Sequence, residues 1–445
     1  RDFWMMDYQE RSPFRRLFWW VVMPTVDAHP QNEQWLATYS KSDAAFNYSE
    51  FGMETLLEES AGRINCRGVA SPSADAAYQP VADKVAHKES LGFDGSCKIV
   101  GTVMRNQRRK LYPDLFESFS KFIQKSGRDD VYLYCHTSYP DLGWDIPKLL
   151  KKYGIASKTL FTYVCANCQN WFPSFFQDAV CRCPKCGQHA ASLSNVQKGV
   201  DTSVLSEIVN LFDLYIQYAN SEGFGLPQVE AAACGVFVMS VDYSAMSSVV
   251  RNLEGEPLKL KTKYLELETG CYRAMPDNDY TCEKMLEFFS LSDDEIKRKG
   301  AICRKNFVRK YQWDATAEKW GNLFDALPHR GSEDTWKSTP EIFQPADKVP
   351  AGLNNKEYVR WLIVNVLGDE KMLNSYMESR MIRDLNYGVY IQGTGDVYIN
   401  EDSMAHNRPQ FEPFGPEEAY QAMYEIRMKR NYWENVRGEM MQEWE

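Results

Sequence analysis

The 445-residue chain has no long apolar run. Its most apolar early stretch, Leu17 to Met23, stops at Pro24, far short of the roughly 20 residues that a spanning helix needs. No bilayer crossing is expected. The opening Arg-Asp-Phe-Trp-Met-Met-Asp sets acids among apolar residues and lacks the cationic-then-apolar order of a signal peptide. Basic charge is in deficit, with 51 Lys plus Arg against 61 Asp plus Glu and a net charge of −10. That disfavours broad attraction to nucleic acid or anionic membrane and leaves only local basic patches. No repeat at a period of about 20 to 50 residues and no low-complexity tract is present. An initiator Met is also missing, so the first residue is read as an internal codon and the 445 residues as a remainder. What is present is a hydrophobic content of 44%, ordinary for a globular chain of two or three domains, which excludes disorder.

Twelve cysteines are unevenly spread, five of them between Cys165 and Cys186. Clustering favours a metal over disulfides, and the scattered remainder reads as buried thiols of a reducing, cytoplasmic compartment. Cys165-x2-Cys168 and Cys183-x2-Cys186 form two knuckles whose four thiolates suit a closed structural zinc ribbon, with Cys181 as an alternative to Cys183. Four cysteine ligands leave no open coordination position, so the ion is assigned to folding.

Short apolar, β-branched segments alternate with helical ones. Strands are expected at 17–23, 44–48, 97–104, 130–135, 159–164, 214–218 and 236–240, and helices at 112–126, 146–153, 202–211 and 227–233, with further helices to Asp325. Such alternation predicts a parallel, doubly wound α/β sheet whose ligands sit beyond the carboxyl ends of the strands. Segment 72–95 reads as an interdomain connection and the proline-rich segment after Asp325 as a linker. Beyond it, helices at 357–367 and 371–385, a hairpin around Gly393-Thr-Gly-Asp396 and a last helix from Pro416 are expected.

Two stretches carry chemistry. In Ser221-Glu-Gly-Phe-Gly-Leu-Pro-Gln-Val-Glu230, Gly223 and Gly225 permit close backbone approach and Pro227 suits a first helical turn, so free N–H groups face an anion. Glu222 and Glu230 then flank one pocket, where carboxylates bind sugar and ribose hydroxyls; the alternative is simple complementation of the helix dipole. In Gly101-Thr-Val-Met-Arg-Asn-Gln-Arg-Arg-Lys110, Arg105 and Lys110 can hold a diphosphate, or the run is a solvated basic loop. Asp277-Asn-Asp279, after Pro276, reads as a turn and not a metal motif, and Gly393-x-Gly395 as a hairpin turn.

Residues 221–236, Ser-Glu-Gly-Phe-Gly-Leu-Pro-x-x-Glu-Ala-x-Ala-Cys-Gly-Val, resemble the signature of retaining GT-B glycosyltransferases of the glycogen-synthase-like and mannosyltransferase-like family (group 1), and the Arg105 to Lys110 spacing is similar to that family's diphosphate pair. The resemblance implies a Rossmann-like domain at 76–327 that binds a UDP- or GDP-sugar, interrupted by the ribbon at 163–192. A partial acceptor domain at 1–75, a linker at 328–356 and an α+β extension at 357–445 complete the chain. It implies ribose binding by Glu230, contacts to the donor sugar from Glu222, and backbone contacts from Ser221, Gly223, Phe224, Gly225 and Leu226. Arg105 and Lys110 would stabilise the leaving diphosphate, with no catalytic metal. His136 lies at a strand end facing the donor. Asp27 is the acceptor-side candidate, with His29 as its rival and a plain turn as the alternative. Ser244 to Ser248 stand where the family has Gly-Gly-x-Pro-Glu. Ribbon-bearing versions resemble enzymes of large tailed bacteriophages. The acceptor, a glycan, a protein or a modified DNA base, is left open. The reading from another class is a zinc-ribbon binding or assembly protein on a nonfunctional transferase scaffold.

Overall fold

The computed structural model describes residues 18–328 apart from 178–179 and 196–197, then 348–386, 389–391 and 397–399, with positions 6, 9, 15 and 346 besides. Two compact units are present, residues 13–329 and a second made of 330–445 with 1–12.

The first unit opens with a small parallel sheet, β1 (Val21–Val22), β2 (Ala44–Asn47) and β3 (Cys66–Val69). β1 is much shorter than the 17–23 segment suggested, and the backbone just before it is anchored by a side chain, the Trp20 N–H donating to Asp43 Oδ2 (2.7 Å). Helices α1 (Glu33–Tyr39) and α2 (Glu50–Glu59) follow, the second capped by Ser49. Segment 72–95, expected as plain connection, contains α3 (Lys84–Ser90). Its one buried side chain, Lys88, donates to Asp213 Oδ2 (2.7 Å) and the Cys97 carbonyl (2.6 Å), so no apolar stripe announces the helix.

The main sheet contains β4 (Lys98–Val103), β5 (Val131–His136), β6 (Thr159–Cys165), β10 (Leu214–Gln217), β11 (Phe237–Val241) and β12 (Glu256–Leu258), all parallel, in the order β12-β11-β10-β4-β5-β6. β6, β10 and β11 are buried along their whole length, as a sheet covered on both faces requires. Among the covering helices, α4 (Tyr112–Ser126) buries Tyr112, Leu115, Phe116, Phe119 and Phe122 at helical spacing, each contributing about 2 kcal/mol, and stops at left-handed Gly127. Between β6 and α6 (Thr202–Val209) the strands β7 (Trp171–Phe175), β8 (Cys181–Arg182) and β9 (His189–Leu193) run antiparallel, continuing the sheet past β6. Chain order proceeds outward from β4 through β5 to β6, then restarts on the other side with β10. The reversal point lies between β4 and β10, and in such sheets the crevice for a ligand opens there, beyond the strands' carboxyl ends.

After α5 (Ile146–Tyr153), α7 (Leu226–Ala233) and α8 (Ser244–Asn252), a hairpin of β13 (Leu260–Glu266) and β14 (Cys271–Pro276) replaces the continuous helices expected. Asp277 is no free turn. It caps α9 (Asn278–Phe289), its carboxylate accepting from the Asp279 and Tyr280 amides. α10 (Asp293–Lys310) begins in a Ser292/Glu295 capping box, and α11 (Trp313–Ala326) returns to the first sheet, where Trp320 packs on Phe46 with ring centroids 4.6 Å apart.

In the second unit α12 (Asn355–Leu362) widens into a π turn, Ile363–Leu367, ended by left-handed Gly368. It packs near α13 (Tyr376–Asn386), the Arg360 Nε donating to Glu378 Oε1 (2.5 Å), and β15 (Val389–Ile391) pairs antiparallel with β16 (Val397–Ile399). The helix expected from Pro416 lies outside the described residues.

Candidate functional site

Two loops meet at the reversal point, one leaving β4 and one leaving β10. An isolated bridge joins Lys110 to Ala219, the Leu111 N–H donates to the Tyr218 carbonyl (3.1 Å), and the Asn220 N–H to the Arg109 carbonyl (2.9 Å). This pairing sets residues 109 and 110 beside 219–222. Lys110 Nζ forms an ion pair with Glu222 Oε1, Arg109 Nη1 pairs with Oε2 (2.7 Å), and Gln217 Nε2 donates to Oε1 (3.2 Å). Glu222 and Lys110 are both almost wholly buried. Burial alone would push the Glu222 carboxyl up; the Lys110 and Arg109 charges outweigh it and hold the group below the usual carboxylate range.

The backbone of Glu222 is fixed as well, its N–H donating to Ser244 Oγ (2.9 Å) and its carbonyl accepting from the Ala245 amide (3.3 Å). Ser244 takes φ +53°, a conformation that usually calls for glycine. Gly225, at φ +82°, begins α7 with no side-chain cap; Pro227 in its first turn has no N–H, and the Gln228 amide donates back to the Gly225 carbonyl (3.1 Å). At Gly223 a Cβ would come within 2.3 Å of Thr25 Cγ2, because the loop after β1 lies against it. Phe224 is buried edge-on to Tyr311, Ser221 is buried, and Leu226 is exposed.

The other anticipated residues fall around this centre. Arg105 turns onto Asp141 with a two-point grip, Nε to Oδ2 (2.8 Å) and Nη2 to Oδ1 (3.1 Å), and lies outside the Glu222 cluster. Glu230, part-buried on α7, sits beside Tyr78 and Asp75 of the segment after β3. Burial pushes its carboxyl up to about 7, the Tyr78 hydroxyl pulling it down and Asp75 adding to the rise. His136 ends β5 with Nδ1 on Thr162 Oγ1 (2.9 Å); burial lowers it to about 4, leaving the ring neutral. Asp27 Oδ2 accepts from Arg273 Nη1 (2.9 Å) and from Ser221 Oγ (3.3 Å), so it stands next to the loop that precedes α7. His29 lies among the rings of Phe51, Tyr243 and Tyr272 at about 6 Å. Sequence reasoning left out Arg109, Gln217, Ser244 and Arg273 as members of this cluster. For Arg109 a signal existed in the Arg-Arg-Lys run, but only the bridge of Lys110 to Ala219 brings it onto Glu222.

The Sγ atoms of Cys165, Cys168, Cys183 and Cys186 all lie within 4.8 Å of one another. Cys165 to Cys186 is 3.6 Å and Cys168 to Cys183 is 3.7 Å. Four thiolates about 2.3 Å from a tetrahedral zinc ion stand about 3.8 Å apart, so the donor set fits. Cys181, within β8, is not part of the group. Left-handed Gln169 and Gly187 close the two knuckles.

Residues 194–265 match the family of glycosyl transferases group 1, a span that takes in β10, both glutamates, α7 and Ser244. The match supports glycosyl transfer as the chemistry of this region. No curated protein matches the chain. Among solved structures, similarity extends to a sucrose-phosphate synthase from Thermosynechococcus elongatus (16% identity, TM-score 0.47, covering 72% of this chain and 65% of that one). A glycosyltransferase from Rickettsia africae gives 14% identity and a TM-score of 0.48, covering 68% and 69%. TarM from S. aureus, solved with UDP, gives 16% and 0.47, covering 69% and 50%. The chain thus spans less than two thirds of the length of the synthase and half that of TarM. Among the described residues no helix is long and apolar enough to cross a membrane.

Proposed function

We propose that the chain transfers a sugar from a nucleotide-sugar donor to an acceptor hydroxyl, with retention at the anomeric carbon and no catalytic metal. The observation that carries this reading is the buried Glu222 carboxylate, paired with Lys110 and Arg109 and set directly before the uncapped start of α7, at the reversal point of a parallel sheet. Two fixed cations and a helix N-terminus offer positive potential to a departing diphosphate, and they are organised before it arrives. In this reading Glu222 accepts from sugar hydroxyls and Glu230, once ionised, from ribose hydroxyls. In the same reading Lys110 and Arg109 hold the diphosphate, and Arg105, expected beside Lys110, is paired with Asp141. Asp27, on the other wall, is the acceptor-side carboxylate. A Zn2+ ion held by Cys165, Cys168, Cys183 and Cys186 would brace the ribbon that extends β6 and take no part in transfer. We further propose that residues 76–327 form the donor domain and 1–75 part of an acceptor domain. The test is the anomeric configuration of the product, read by NMR during transfer to water or to a simple alcohol from an α-configured donor. An α product is expected; a β product would overturn retention.

A further inference from the structure

The hairpin of β13 and β14 is stitched to both walls of the crevice. On the outer edge of β14 the Tyr272 N–H donates to the His29 carbonyl (2.8 Å) and the Ala274 N–H to the Asn220 carbonyl (2.9 Å). Arg273 lies between these two attachments and is 5% exposed. Its Nε and Nη2 both grip Glu266 Oε2, at 3.0 and 2.8 Å. Arg273 pairs with Tyr264 in the hairpin register, which makes Glu266 its diagonal neighbour on the same face. That two-point grip fixes the guanidinium plane. It leaves Nη1 for a different task, donating to Ser221 Oγ (2.6 Å) and Asp27 Oδ2 (2.9 Å) at once.

A buried guanidinium needs only compensating acceptors, and Glu266 already supplies a charged one. The second carboxylate comes from the loop after β1, and its side chain is 37% exposed, open to the crevice. Ser221 directly precedes Glu222, so whatever holds Ser221 also limits where the Glu222 carboxylate stands relative to Lys110 and Arg109.

We propose that Arg273 is a positioning residue for the transfer reaction, a clamp that sets the Asp27 carboxylate and the Ser221–Glu222 backbone at a fixed separation across the crevice. The role rests on the transferase reading of the same site. Arg273 acts through these neighbours and has no contact with the donor diphosphate, whose cations are Lys110 and Arg109. Lysine cannot replace it, because an ammonium cannot hold Glu266 at two points and still reach both Asp27 and Ser221.

The experiment compares wild type with Arg273→Gln, Arg273→Lys and Glu266→Gln in two independent readouts. In the first, hydrogen exchange of the full chain, faster exchange is expected at residues 219–225 and 26–30 in all three variants, with β4, β5 and β6 unchanged. Unaltered loop exchange overturns the clamp, whatever the enzyme does, so this readout stands even if no sugar nucleotide is turned over and the transferase reading fails. In the second, kcat for release of nucleoside diphosphate is expected to fall about 10- to 100-fold, the usual cost of a misplacement of about 1 Å, while affinity for UDP and GDP, each added alone, stays within about threefold. Millimolar guanidinium is expected to restore part of the kcat of an Arg273→Ala variant. A kcat at the wild-type level, or equal losses in kcat and nucleotide affinity, overturns the proposal. An Arg273→Gln protein that does not fold is replaced by Glu266→Gln, which keeps the buried cation paired with Asp27.

Discussion

Replacing Glu230 by Gln removes the charge of a part-buried carboxyl while keeping its shape. The acid titrates near 7 in the folded chain, against an ordinary value of 4.5. A carboxyl whose folded value is raised costs nothing below pH 4.5, where folded and unfolded chains both hold the proton. Between pH 4.5 and 7 the unfolded chain releases it and the folded chain does not, so the folded state loses ground as pH rises. The rise from 4.5 to about 7, at about 1.36 kcal/mol per tenfold change in proton affinity, gives an upper bound of about 3 kcal/mol, reached above pH 7. Glu230→Gln is therefore expected to melt like wild type at pH 4.5 and several degrees higher at pH 8. Paired thermal melts at the two pH values, without ligand, read this directly. In the proposed reaction the same proton has a functional counterpart, since the ionised carboxylate is the stronger acceptor for two ribose hydroxyls. Affinity of wild type for UDP or GDP should climb with pH up to about 7, and that of Glu230→Gln should be weak and flat. A melting difference that is the same at both pH values, or larger at the acid end, would refute the reasoning.

Three further outcomes follow from named contacts. Asp213→Ala should destabilise the chain by about 3–5 kcal/mol in denaturant unfolding, because it strands the buried Lys88 ammonium; an effect under about 1 kcal/mol would show that the ion is not desolvated. Chelation, or Cys168→Ser, should lower the melting temperature and release about one zinc ion per chain by metal analysis, with the preference between UDP and GDP kept; an unchanged melt would remove the ion from the fold. Gly223→Val should lower kcat at least about tenfold, since the new side chain meets Thr25 and pushes the loop that carries Glu222 away from the loop after β1; wild-type turnover would mean the loop yields freely.

The sheet was legible because its strands are short, apolar and buried on both faces, which leaves the same pattern at 97–104, 130–135, 159–164, 214–218 and 236–240. The loop before α7 was legible for a similar reason, its glycines and proline meeting local backbone demands at Gly223, Gly225 and Pro227. The β13–β14 hairpin was not, because residues 261–265 are exposed and no apolar face marks them as strand. α3 hides for the same cause, burying a lysine in place of a stripe. Arg273 carries no local sign, since Asp27 lies 246 residues away and Ser221 52. Which arginine pairs with Glu222 depended on the path of the backbone, which sends Arg105 onto Asp141 and Arg109 onto Glu222.

The central claim is that the Glu222, Lys110 and Arg109 cluster drives departure of a nucleoside diphosphate. The measurement that tests it most directly is release of nucleoside diphosphate from a panel of UDP- and GDP-sugars by wild type and by Glu222→Ala and Lys110→Ala, with melts to establish folding. Turnover of at least one donor by wild type and a loss of about 100-fold or more in each folded variant are expected. Wild-type rates in both variants, or no release from any donor by wild type, would contradict it.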